Sequence, residues 1–277
     1  MSSDGPNRYP TIDMATTTSS SNVRRVLAIA AFAWLEARRT RLPWVVACIA
    51  GALLAGSLFA RSLAVTEGAR LQIAFLASAV RLSAVFVVCL YVLSSMLREL
   101  QDKGTDVMLS LDLPRAAYLL GKAAGYAGVS AAVCVLLWLP VVTLAPSGAS
   151  VCWLVSLILE CWVVTAAALF CAVTLNQLMP GAAFVLAFYG LCRAMAAILL
   201  IATASPFGGT TWVDHMLRGG IQGAYYLLPG FDRFTQTAWL TEKGPGLIEM
   251  SSVGVESLLY VSLLLSAALV DLYRKNS

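Results

Sequence analysis

The chain predicts an all-α membrane protein, with six transmembrane helices preceded by an amphipathic interfacial helix and both termini in the cytoplasm. Three observations carry this. Of 277 residues, 59% are hydrophobic and only 12% charged, with a mean hydropathy of +0.79; a soluble domain carries about 25% charged residues. The apolar residues gather in six runs, each long enough to cross a hydrocarbon core that takes about 20 helical residues. Lys and Arg weigh more heavily on one side of those runs, which sets the orientation. The net charge of +4 sits mostly at span ends, so it is not a nucleic-acid footprint.

Residues 1–22 are polar and rich in Ser and Thr, with no apolar core. They read as a disordered cytoplasmic tail rather than a secretory signal peptide. In residues 23–42, Val26, Leu27, Ile29, Phe32 and Trp34 supply apolar bulk, flanked by Arg24, Arg25, Arg38, Arg39 and Arg41. That stretch is too short to span and reads as an amphipathic connector helix held against anionic head groups. Pro43 ends it.

The transmembrane domain occupies 44–273. Its spans run over Trp44 to Val65, Leu71 to Leu97, Ala116 to Ala145, Val151 to Leu178, Gly181 to Ser205 and Val253 to Tyr273. The N-terminal side holds Arg24, Arg25, Arg38, Arg39, Arg41, Arg98, Lys103, Arg115, Arg274 and Lys275. The opposite side holds Arg61 and Arg70, then Arg218, Arg233 and Lys243 across the long last loop. The imbalance places both termini, and the segment 98–115, in the cytoplasm. A bacterial inner membrane suits this arrangement.

Segment 98–115 is mixed in charge in its first half and amphipathic in its second. Val107, Met108 and Leu111 share one side of a helix, away from Asp106 and Ser110. This suits either a surface helix offering a face to a soluble partner or a polar connector. The loop 206–252 carries Trp212, Tyr225, Tyr226, Phe231, Phe234 and Trp239, an aromatic load typical of membrane interfaces. It predicts two or three short interfacial or re-entrant helices, serving as a lid, a dock for an accessory subunit or a packing cap.

Three charges stand inside spans, namely Arg81, Glu160 and Arg193. All fall near mid-depth, where one charge costs about 2.5–3.5 kcal/mol. Glu160 is therefore expected to pair with Arg81 or Arg193, as a structural clamp or as the lining of a polar path. Gly125 and Gly128, among several alanines, give the third span a face for close helix packing.

Catalytic chemistry finds no support. His215 is the only histidine, and the seven cysteines lie in or beside apolar runs without a CxxC pair. No GxxxxGK[ST] loop occurs, so no cofactor or metal is expected in this chain and it cannot hydrolyse ATP alone.

The order Arg98-Glu99, Gly104-Thr105, Val107-Met108-Leu109-Ser110-Leu111, Leu113-Pro114-Arg115 and Gly121-Lys122 resembles the membrane permeases of type-2 ATP-binding-cassette (ABC) exporters. Within that family it is most similar to the permeases of multicopper-enzyme maturation. The Arg-flanked start, six spans and long last outer loop extend the resemblance over most of the chain, although Asp102-Lys103 stands where a second acidic residue is usual. The resemblance implies that 98–115 is a coupling helix docking on a separate cytoplasmic ATPase, which would hold ATP and Mg. Arg98, Glu99, Asp102, Asp106, Leu109, Leu111 and Arg115 would carry that contact. A second permease chain, identical or not, would complete the transporter. The alternative is a polytopic assembly or scaffold subunit without ATPase coupling.

Overall fold

A computed structural model describes residues 28–63, 67–101, 115–145, 148–204, 212–241 and 244–274. Of these, 91% are helical and none lies in a strand. The helices are α1 (residues 28–39), α2 (Leu42–Leu63), α3 (Gly68–Gln101), α4 (Arg115–Leu144), α5 (Gly148–Leu175), α6 (Leu178–Ala204), α7 (Trp212–Leu227), α8 (Ala238–Thr241) and α9 (Leu247–Arg274). Helices α2 to α6 and α9 are each long and apolar enough to cross a membrane, and the chain is a multi-pass integral membrane protein. They alternate in direction. The end where α2 begins and α9 finishes is called proximal here, the other distal.

Helix α5 is the axis of the bundle, packed against α3, α4, α6 and α9. Its apolar stretch is mostly buried, whereas those of α2 and α9 are mostly exposed. Its sequence explains the position. Cys161, Ala166, Ala167, Ala168, Cys171 and Ala172 give it a slim, apolar surface on every side, which lets neighbouring backbones come close. Asn176, at φ 52°, closes its end in the left-handed conformation, and α6 turns back at once. The peripheral helices instead expose Trp44, Phe59, Leu258, Leu263 and Val270, as lipid-facing surfaces do.

Pro43 begins α2 rather than merely ending α1, since a helix tolerates proline in its first turn. The last span starts at Leu247, well before Val253, so the distal connection is shorter than 206–252. It holds α7, an extended turn and the single-turn α8. Its aromatic residues divide: Tyr226 is 75% exposed, whereas Phe231, Phe234 and Trp239 are buried in the bundle.

Helix α1 lies on α4 through Ile29, Ala33 and Ala37, which repeat at i, i+4 and i+8 and are buried. Gly125 makes this contact possible, because a Cβ there would stand 2.7 Å from Ala33 Cβ and 3.1 Å from Ala30 Cα. The small-residue face of α4 is thus partly used within the chain.

Candidate functional site

Two polar clusters organise the described residues. The first surrounds Glu160 on α5, which is fully buried. Twelve residues separate it from Gly148, about 18 Å along the helix, so it lies near the middle of the bundle. The Tyr189 hydroxyl on α6 donates to Glu160 Oε1 at 2.8 Å, and the Thr235 hydroxyl donates to Oε2 at 2.7 Å. Arg193 Nη1, one turn along α6 from Tyr189, stands 3.8 Å from Oε1. Each carboxylate oxygen therefore has a hydroxyl donor, and the guanidinium neutralises the charge.

Thr235 belongs to the turn between Leu227 and Ala238, which enters the bundle from its distal end. Its backbone is held from all sides. The Thr235 amide donates to Ser156 Oγ at 3.0 Å, and its carbonyl accepts from Arg81 Nη1 at 3.3 Å. Arg193 Nη1 also donates to the carbonyls of Phe231 and, at 3.1 Å, Phe234. Irregular backbone at this depth needs its polar groups satisfied by protein, and the two arginines supply the donors. The Phe231 ring packs on Tyr189 at 5.5 Å and on Phe234 at 5.5 Å. Thr235 itself has φ 44°, a strained value for a β-branched residue. The geometry around Glu160 is that of a clamp pinning the distal turn to α3, α5 and α6.

The structure thus brings Glu160 and Arg193 together directly, and Arg81 to them through Thr235. Tyr189, Thr235 and Ser156 complete the centre, although nothing in their sequence surroundings singles them out. Glu256 also has a specific partner, its Oε1 accepting from the Gly230 amide at 2.5 Å. Near the proximal end of α9, Asp271 accepts from the Thr174 hydroxyl at 2.8 Å.

The second cluster lies at the proximal end. Lys122 on α4 is buried and forms an ion pair with Glu99 on α3. The Tyr118 hydroxyl donates to Glu99 Oε1 at 2.9 Å. One turn deeper, Tyr126 donates to Ser95 Oγ at 3.1 Å, and Ser95 donates to Glu36 Oε1 on α1 at 3.2 Å. The Lys122 ammonium also lies 5.8 Å from the Phe32 ring and 5.6 Å from the Tyr126 ring. These contacts tie α1, α3 and α4 into one block. Of the expected coupling residues, Arg98 is exposed while Glu99 turns inward to this cluster. Asp102, Asp106, Leu109 and Leu111 lie outside the described residues, as does the side chain of Arg115.

No protein-family model matches the chain, and no curated protein sequence does either.

Proposed function

We propose that the chain is the membrane-spanning permease subunit of an ABC transporter of exporter type, driven by a separate cytoplasmic ATPase. The carrying observation is the run Arg98 to Arg115 with Gly121-Lys122, which resembles the coupling region of type-2 permeases. The proximal cluster supports the reading. Glu99 and Lys122 flank the segment 102–114 and are bonded to each other, so a displacement of that segment would pass to α3, α4 and α1 together. Such rigid-body transmission is what an ATPase-driven lever needs. ATP and Mg would be bound by the partner, and two permease chains with two ATPase chains would form the working unit.

The clamp around Glu160 favours the alternative in one respect. Its charges are used by the chain's own distal turn, as a structural clamp requires. A route between two permease chains is compatible with both observations.

The test is co-expression of the chain with its neighbouring genes, purification in mild detergent and identification of what co-purifies. A Walker-type ATPase should accompany the wild type and be lost from the Asp106→Lys, Leu111→Asp double variant, which should still insert in the membrane. Absence of an ATPase, or its unchanged retention by the variant, overturns the proposal in favour of a scaffold subunit.

A further inference from the structure

Between α7 and the distal part of α9 lies a cleft of about 470 Å³, within the ~300–1,000 Å³ usual for small-molecule sites. Tyr225, Tyr226 and Tyr260 line it, together with Arg233 and Glu256. The arrangement is polarised. Arg233 is exposed, and its Nη2 donates to the Tyr225 hydroxyl at 3.1 Å. That bond is the first reason its guanidinium is held above its already high range, so it remains a cation throughout. Close beside it stands the Glu256 carboxylate, with one oxygen engaged by Gly230; a Cβ built on Gly230 would lie 3.8 Å from Arg233 Cδ. Asp232 adds a second negative charge nearby, because a Cβ built on Gly230 would lie 3.3 Å from Glu256 Oε1 and 3.4 Å from Asp232 Oδ1. That Asp232 oxygen is buried without a hydrogen-bond partner among the described residues.

A carboxylate pair beside tyrosine rings attracts an ammonium group, through charge and through the ring faces. The neighbouring Arg233 guanidinium, directed to Tyr225, attracts a phosphate. One ligand class carries both groups a few bonds apart.

Depth identifies the source of that ligand. Asp271 is the first charged residue met from the proximal end of α9 after Arg274. Counting about 20 residues, one hydrocarbon thickness, back from Asp271 reaches Ser251, which lines the cleft. The cleft therefore opens at the distal head-group boundary and reaches below it, with Glu256 five residues, about 7.5 Å, further in along α9. Its lips are apolar, with Val255 60% and Leu259 62% exposed along α9, a track on which an acyl chain can lie.

From these observations we infer that the α7–α9 cleft is a binding site for the zwitterionic head group of an aminophospholipid, phosphate on Arg233 and ammonium on Glu256. The inference rests on the membrane architecture and is independent of an ATPase partner.

The experiment uses the full chain in mild detergent, supplied with equal phosphatidylethanolamine and phosphatidylglycerol in mixed micelles. Native mass spectrometry counts retained lipid, and thermal midpoints are measured in parallel. Phosphatidylethanolamine should be retained over phosphatidylglycerol by about tenfold, the scale of one charge-assisted hydrogen bond. Glu256→Gln keeps an acceptor for the Gly230 amide while removing the charge, and Arg233→Gln alters an exposed side chain. Each should cut retention about tenfold and abolish the rise in midpoint that phosphatidylethanolamine gives the wild type. Equal retention of the two lipids, or unchanged retention by both variants, overturns the site. Excess glycerophosphoethanolamine separates the sources: failure to displace the lipid supports it, and full displacement replaces it with a water-soluble head group.

Discussion

Replacing Thr235 with Val removes one hydroxyl from the mid-bundle centre and little else. Both side chains are β-branched and similar in shape, so the cost of the positive φ at this position is common to wild type and variant and cancels. The backbone bonds to Ser156 and Arg81 do not involve the side chain and survive. What is lost is the 2.7 Å bond from the hydroxyl to a fully buried carboxylate. Hydrogen bonds to charged groups contribute about 1.5–3 kcal/mol in soluble proteins, whereas side-chain bonds between membrane helices average about 0.6 and reach about 1.7. Glu160 is fully buried beside the Arg193 guanidinium, which places this bond at the top of the membrane range. The expected destabilisation is about 1–2 kcal/mol. Reversible unfolding in mixed micelles measures it, and a double-mutant cycle with Glu160→Leu, which removes the acceptor, isolates the coupling. A Thr235→Val variant as stable as the wild type, or an equal loss in both backgrounds, would show that the hydroxyl and carboxylate are not coupled and refute the clamp.

Further expectations concern the proximal block. Lys122→Met leaves Glu99 without its cation and should cost about 3 kcal/mol, read as a lowered thermal midpoint. Adding Glu99→Gln, which still accepts from Tyr118, should restore most of the loss, since neutralising a whole buried pair is far cheaper than breaking it. Gly125→Ala forces a Cβ against Ala33 and the backbone of Ala30, with a cost of about 1–3 kcal/mol from overpacking. Ala33→Gly should recover part of that cost in the same assay, and no recovery would argue against direct contact of α1 with α4.

The spans were legible in the sequence because twenty-residue apolar runs have few alternatives. Glu160 and Arg193 were legible for a related reason, since a charge at mid-span is costly and calls for a partner. Tyr189 and Thr235 were not, because a hydroxyl in an apolar or loop context is ordinary and Thr235 lies 75 residues beyond its acceptor. The aromatic loop misled in part. Phe231 and Phe234 have the composition of interface anchors, yet they are core, because lipid tails and a protein interior offer an aromatic ring the same apolar surroundings. The buried pair of Lys122 with Glu99 was hidden for the opposite reason: a Lys near a span end ordinarily reaches water. The run 102–114 contributes nothing to this comparison, since it lies outside the described residues.

The deep turn around Thr235 also sets an order of events during biosynthesis. Glu160 leaves the ribosome 75 residues before the hydroxyl that will bond it, an interval of about 4–15 s at ordinary elongation rates. Once α6 is made, Glu160 has Arg193 and Tyr189 as partners, but the distal turn that completes the hydrogen bonds of both charges does not yet exist. The nascent bundle must stay open on its distal side until the turn is made, and α9 then follows and packs on α5. Insertion and closure are therefore separate steps in this chain. A substitution that spoils the turn would release a six-span protein that is fully inserted but unfinished, the form that membrane quality-control proteases are built to find.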